Sequence, residues 1–385
     1  MSMSVLILAG KNKNRMKFIV ADVPIELSGE GEVYTNILKE LSGYPETQKN
    51  PEVSFFVNNK GSFEVPRNVT AVSDIFFNAR YFALKNTPLN FEIKGKIFEK
   101  CPLEVNVYPA IPRKRTFRTR ERFRDWNFFT IEETLAKNFV YNIFDFVMEL
   151  KFLINGSSFI HASSLEKDGK AILFVAAGGI GKTGIMLQML KQEGWRYLSD
   201  DLSIVGSDGR VYFNPKYIQI YPYNIKNDAD LYDLLMKGRG VFDKLNWFYR
   251  KYRYGEDSVR RRVDPKKFFG TEKISKDARI NKVVNFVRTK VTTFEINEIN
   301  SDLISQMASE ILAFEINPFF KYSCLCNGGG PDSPLPKIEE TKESSVKRFL
   351  EIFKNTPCYQ LKIPLEASPL DLYDYIDTKT SLFRV

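Results

Sequence analysis

Apolar positions recur with two different periods along the chain. Over residues 1–110 they come as short β-type runs (5–8, 18–20, 53–57 and 90–93), separated by turn-forming stretches such as Asn58-Asn59-Lys60-Gly61. That pattern predicts an α+β segment, and no cluster of residues within it points to chemistry. Beyond residue 125 a helical period takes over. Thr130-Ile131-Glu132-Glu133 fits a capping box, with the Thr130 side chain and Glu133 each satisfying a backbone N–H. Leu135, Phe139, Ile143, Phe146 and Leu150 follow at spacings of four, four, three and four. They predict a single apolar stripe on a helix of about five or six turns, with Lys137, Asn138, Asn142, Asp145 and Glu149 pointing elsewhere.

From Ser158 the period shortens again. Residues 159–165 and 171–177 read as buried strands joined by the turn Glu166-Lys167-Asp168-Gly169-Lys170. A glycine-rich stretch follows, then a helix through Ile185, Met186, Met189 and Leu190 that Gly194 stops. A short strand at 196–198 runs into Ser199-Asp200-Asp201, and 202–205 with 210–213 reads as a hairpin. Helices are expected at 303–316, 343–353 and 369–376, a loop at 328–336 and a strand at 359–363. The expectation is an N-terminal α+β domain at 1–124 and an α/β domain at 125–385.

Composition narrows the class. With 43% hydrophobic and 27% charged residues, the 385-residue chain is neither disordered nor fibrous. Its longest stretch free of charged or strongly polar residues, 171–181, is eleven residues, where a membrane span takes about 20. Near the N-terminus the basic residues follow the apolar patch rather than precede it, unlike a signal peptide. Four cysteines and one histidine are too few for a Cys/His zinc cluster or a disulfide framework in a chain of this length. The expectation is a cytoplasmic protein with no membrane partner. The net charge of +9 is concentrated: 113–124 has seven basic residues against one acidic, and 237–267 has eleven against four. Such clusters attract nucleotide phosphates, nucleic acid or an acidic protein.

The candidate chemistry begins at Ala176-Ala177-Gly178-Gly179-Ile180-Gly181-Lys182-Thr183, between a strand and a helix. It matches the phosphate-loop pattern G-x-x-x-x-G-K-[ST] with Ala176 for the first glycine. Glycines let successive backbone N–H groups converge on phosphate oxygens, and the helix N-terminus adds its dipole. Lys182 can place a charge on the outer phosphates, and the Thr183 hydroxyl can ligate Mg²⁺. Asp200 and Asp201 follow only seventeen residues after Thr183, with one helix and one strand between, so they can return to the same sheet edge. One carboxylate can hold a metal while the other accepts a proton from an attacking hydroxyl. His161, the sole histidine, precedes the hairpin that leads into the loop.

These residues resemble a family. Phe159-Ile160-His161-Ala162-Ser163, the loop 178–183 and Gly194-Trp195-Arg196-Tyr197-Leu198-Ser199-Asp200-Asp201 are similar to the catalytic domain of HPr kinase/phosphorylase. They are closer still to the HPrK-related ATPases and kinases. That catalytic domain resembles phosphoenolpyruvate carboxykinase in fold. The resemblance is specific over 155–215 and loose beyond, and the first 110 residues do not share it. It implies an ATP- and Mg²⁺-dependent kinase transferring phosphate to a hydroxyl, on a serine of a protein or peptide, a sugar or another small molecule. By the same resemblance Ala177, Gly178, Gly179, Ile180, Gly181, Lys182, Thr183 and Gly184 would hold the nucleotide, with Thr183 and Asp201 on the metal. Asp200 would be the proton acceptor, with His161 and Lys182 beside it, and self-association would be expected. Two features depart from the HPr enzymes: the helix opens Gly184-Ile185 without an acidic residue, and no Glu-Ile-Arg-Gly segment occurs, although Arg260-Arg261-Arg262 lies in that region. A second reading is a nucleotide-binding switch or nucleic-acid-binding ATPase that uses the basic clusters with their interleaved aromatics.

Overall fold

The computed structural model describes residues 15–58, 62–110, 130–226, 228–380 and 382. The expected strand at 5–8, most of the turn at 58–61 and the basic cluster at 113–124 lie outside these residues. The architecture is mixed α/β with several sheets, and the chain divides into two compact units. The division is not a single cut near residue 124. Residues 130–144 and 325–335 group with the N-terminal part, while 145–324 and 336–385 form the second unit.

The first unit is built on an eight-stranded sheet. Arg15–Val20 and Val23–Gly29 form an antiparallel hairpin, and Val23–Gly29 then pairs parallel with Val53–Val57. Val53–Val57 pairs parallel with Leu103–Pro109, from which an antiparallel meander runs to Thr70–Val72. Alternate residues of Val53–Val57 are fully buried, as a half-covered strand requires. The helices Gly31–Leu41 and Ile131–Phe139 turn apolar faces inward.

The expected capping box is present: Thr130 Oγ1 accepts from Glu133 N at 3.1 Å, and Glu133 returns a carboxylate oxygen to Thr130 N at 2.7 Å. The helix it opens is not uniformly α. A π-helical turn at Val140–Phe144 separates Ile131–Phe139 from Asp145–Asn155. All five stripe residues are buried, but so are Asp145 and Glu149, which the stripe was expected to point away. Both are held by polar partners within the second unit. Asp145 pairs with buried Lys216 at 2.5 Å, and Glu149 accepts the N–H of Phe159 at 3.4 Å.

Burial raises the Glu149 pKa to about 7, against the opposing pull of Arg348 and the Phe159 N–H. A carboxyl whose pKa is higher folded than unfolded stabilises below its unfolded value near 4.5, and that contribution is lost as pH rises through 7. Relative to Glu149→Gln, the wild type is therefore expected to lose up to about 3 kcal/mol of stability between pH 4.5 and 8. Denaturant midpoints of both proteins across this range measure it; a difference that does not change with pH refutes it.

In the second unit, a nine-stranded sheet runs Arg196–Ser199, Ala162–Lys167, Lys170–Val175 and Asp277–Thr289, then Arg210–Tyr212, Ser203–Val205 and Ser158–Ile160. Cys358–Pro364 pairs parallel with Asp277–Thr289 on one side and antiparallel with Glu295–Ile299 on the other. The strand expected over 159–165 is therefore two strands that break at His161. The first joins Ser203–Val205, and the second joins Lys170–Val175 and Arg196–Ser199. Lys170–Val175 feeds the glycine-rich loop and the helix Lys182–Lys191, whose buried Ile185, Met186, Met189 and Leu190 belong to a core with Phe174, Tyr197 and Phe286.

The helix Asn317–Gly329 extends to the second residue of the expected loop at 328–336. In the basic region, Trp247 is buried, while Phe248, Tyr249, Tyr252 and Tyr254 are exposed on the helix Val241–Tyr254. No helix among the described residues is long and apolar enough to cross a membrane.

Candidate active site

The loop between Lys170–Val175 and Lys182–Lys191 turns through two glycines with positive φ, Gly179 at +76° and Gly181 at +129°, a conformation that side-chain-bearing residues rarely adopt. Lys182 folds back beneath it, donating from Nζ to the carbonyls of Ala176 at 2.8 Å and Ala177 at 3.1 Å. From outside, Arg288 locks the same turn. Its guanidinium donates to Ile180 O at 3.0 Å and to the carbonyls of Pro364, Leu365 and Ala367. Four carbonyls on one fork of fixed geometry is a task lysine could not take over.

The two aspartates stand at the end of Arg196–Ser199, one strand removed from the loop. Asp201 has φ +69°, the left-handed region that aspartate tolerates better than most residues, and Leu202 N closes the turn on Asp200 O at 2.8 Å. Buried Asp200 accepts hydroxyl hydrogen bonds from Thr183 Oγ1, at 3.0 and 3.2 Å, and from Ser163 Oγ. Asp201 instead leaves its side chain 55% exposed and bonds His161 Nε2 at 3.1 Å. On the other ring nitrogen, His161 Nδ1 lies 3.5 Å from Glu315 Oε1. The same Glu315 oxygen accepts the N–H of Gly178 at 3.1 Å.

Thr183 thus meets Asp200 and His161 meets Asp201, across 17 and 40 residues of sequence. Gly178, Gly179, Gly181, Lys182, Thr183, Asp200 and Asp201 line a polar cleft of about 140 Å³ together with Gln219, Tyr221, Tyr223 and Asn224. The tyrosine rings stack at 5.2 Å, nearly parallel. This volume is well below the roughly 300–1,000 Å³ of pockets that enclose a whole small molecule; it suits the phosphate end of a ligand whose remainder lies outside.

Three expected nucleotide contacts, Ala177, Ile180 and Gly184, are not among the residues that line this cleft. The carbonyls of Ala177 and Ile180 accept from Lys182 and Arg288. Gly184 packs instead against Pro369, where an added Cβ would lie 2.7 Å from the ring. Despite alanine's better helix propensity, Gly184→Ala is expected to destabilise the fold by about 1–3 kcal/mol through overpacking. Urea unfolding measures this, and an unchanged midpoint refutes the packing role.

The electrostatics separate the adjacent carboxylates. Burial first, then the charge of Asp201, pushes Asp200 up to about 6 against the Ser163 and Thr183 hydrogen bonds and Lys182. Desolvation also raises Asp201, but the hydrogen bond and charge of His161, aided by Lys182 and Lys216, outweigh it and bring Asp201 to about 2. Burial lowers the Lys182 pKa, while Asp201, Asp200 and Glu315 pull it back up. Divergent values in neighbouring acids are the arrangement in which one stays charged and the other exchanges a proton.

The donor set fits a nucleotide and a hard cation. The Gly178 N–H already holds a carboxylate, so this turn favours an anion. Thr183 Oγ1 and the two aspartates offer the oxygen ligands that Mg²⁺ takes beside phosphate oxygens. No group of three or more His, Cys, Asp or Glu among the described residues could hold a metal unaided.

Sequence reasoning singled out neither Ser163, Glu315, Arg288 nor the Gln219–Asn224 wall. Ser163 had a signal, since it lies two residues from His161 in an extended stretch. Glu315 and Arg288 had none, lying 137 and 108 residues from their loop partners.

No family model and no curated protein matches the chain. Among solved structures it is similar to the HPr(Ser) kinase/phosphatase from Coxiella burnetii, at 15% identity and a TM-score of 0.20. That match covers 37% of this chain and 72% of the other.

Proposed function

We propose that the second unit is an ATP- and Mg²⁺-dependent kinase of the HPr kinase-like P-loop type, transferring a phosphoryl group to a hydroxyl acceptor. The observation that carries this reading is the convergence of Lys182 and Thr183 with Asp200 and Asp201 on one cleft. The motif resemblance over 155–215 supports the same conclusion. In this reading Lys182 and the loop N–H groups hold the outer phosphates, and Thr183 with Asp201 holds the cation. When bound, Mg²⁺ would neutralise charge on the transferring group.

Asp200 would accept the proton of the acceptor hydroxyl as that oxygen bonds to the γ-phosphorus and the bond from this phosphorus to the ADP oxygen breaks, releasing ADP. His161 keeps Asp201 oriented, and Ser163 and Thr183 fix the direction of the Asp200 carboxylate. Phosphoryl transfer asks mainly for such positioning and charge stabilisation. The test is transfer of radiolabel from γ-labelled ATP to a panel of proteins, peptides, sugars and RNA, with Mg²⁺ present and then chelated. Metal-dependent labelling of one acceptor class is expected; a protein that binds no Mg²⁺-ATP refutes the reading.

A further inference from the structure

The helix Val241–Tyr254 is amphipathic the wrong way round for a helix that only packs on its own core. Asn246 and Trp247 are its buried residues, while Val241, Phe242, Leu245, Phe248, Tyr249 and Tyr252 are exposed, Phe242 by 79% and Tyr252 by 93%. At 3.6 residues per turn these six fall within an arc of about 120°. Lys244 and Lys251, the latter paired with Glu256 at 3.0 Å, border the arc on one side and Arg253 on the other. The helix's one carboxylate, Asp243, is engaged by Arg239 and Arg261. Among the described residues, neither Lys244 nor Arg253 is paired with a carboxylate. An apolar patch of this kind, framed by one sign of charge, marks an interaction surface.

The helix is also tied to the cleft. Arg261 bonds Asp243 and lies 5.3 Å over the Trp247 ring, while neighbouring Arg260 donates to Tyr221 Oη at 2.8 Å. Tyr221 is part of the cleft wall.

We propose that the outward face of Val241–Tyr254 docks a polypeptide acceptor, namely an acidic segment with apolar side chains whose hydroxyl residue enters the adjoining cleft. The proposal rests on the kinase reading for what happens in the cleft, but docking itself needs no transfer. Charge selects an acidic partner, and continuity with the Tyr221 wall selects one that carries the acceptor. A bilayer suits the surface less well. Tyr252 stands near the middle of the arc, where its hydroxyl would enter hydrocarbon, whereas tyrosine at the centre of a protein interface is a common anchor.

The test uses the full chain and a displayed library of random 20-residue peptides, each with a central serine. Selected peptides are resynthesised and titrated against wild type, Phe242→Ser/Tyr252→Ser and Lys244→Glu/Arg253→Glu. Enrichment of acidic peptides with apolar residues is expected. Each double variant should bind them at least ten-fold more weakly while keeping wild-type affinity for Mg²⁺-ATP. No enrichment, enrichment without acidic residues, or equal affinity for the variants overturns the proposal. So does partition onto phosphatidylserine/phosphatidylcholine vesicles that the variants abolish, which assigns the face to a membrane. A dimer in sedimentation that the variants dissolve assigns it to a second copy and likewise overturns the proposal. Lys182→Ala should still bind the peptides. Should that substitution leave Mg²⁺-ATP binding intact while docking persists, the kinase reading falls and the docking surface stands.

Discussion

Lys182→Ala is expected to weaken Mg²⁺-ATP binding by on the order of 10- to 100-fold, the loss that follows from removing a charged hydrogen-bond donor worth about 1.5–3 kcal/mol. Lys182 is buried, and its ammonium donates to the carbonyls of Ala176 and Ala177 at the base of the loop. Asp200, Asp201 and Glu315 all act on its charge. Three carboxylates therefore act on the place assigned to a polyanion, and the Lys182 charge counters all three. Alanine removes that charge, leaving the His161 hydrogen bond and Lys216 to offset Asp201. Titration calorimetry with Mg²⁺-ATP measures the effect, and circular dichroism checks that the fold survives. Undiminished affinity in a folded variant would remove the loop from nucleotide binding. Lys182→Arg is not expected to rescue, because a planar fork cannot replace a compact ammonium between two backbone carbonyls.

Much of the local structure was legible because neighbouring residues determine it. The capping box at Thr130 and Glu133, the strand–loop–helix around Gly178–Thr183 and the short strand running into Asp200-Asp201 each depend on a few consecutive residues. The long strand Asp277–Thr289 was not legible, because Lys282, Asn285 and Arg288 interrupt its apolar pattern. Folding replaces water on their polar groups with partners distant in sequence. Lys282 donates to Leu382 O, Asn285 to Val175 O, and Arg288 to four carbonyls from two segments. The π-helical turn at Val140–Phe144 left no periodic signature either, since the stripe from Leu135 to Leu150 keeps its spacing through it. In the site, pairs close in sequence or joined by one helix and strand were readable. Glu315, which reaches both Gly178 and His161, needed the tertiary fold. Nor does the sequence of 241–254 indicate which arc of that helix faces inward.

Asp200→Asn is expected to reduce phosphoryl transfer by about 10²- to 10⁴-fold, the range associated with losing a positioned general base, while Mg²⁺-ATP affinity changes by only a few-fold. The side chain is buried, and its carboxylate accepts from both Ser163 and Thr183, so its position is set by two hydroxyls anchored on neighbouring elements. Asparagine preserves that shape, and either hydroxyl can rotate to accept from the new amide, but the group can no longer take a proton from an acceptor. Asp201→Asn provides the contrast. It removes a charge that His161 holds in place and should raise the Mg²⁺ concentration needed for half-maximal transfer. Single-turnover labelling at saturating Mg²⁺-ATP, followed by a Mg²⁺ titration, separates the two carboxylates. An Asp200→Asn protein that transfers phosphate at the wild-type rate would take Asp200 out of the chemistry. If it failed at binding instead, Asp200 would belong to the cation site beside Thr183, and Asp201 with His161 would be left as the proton-accepting pair.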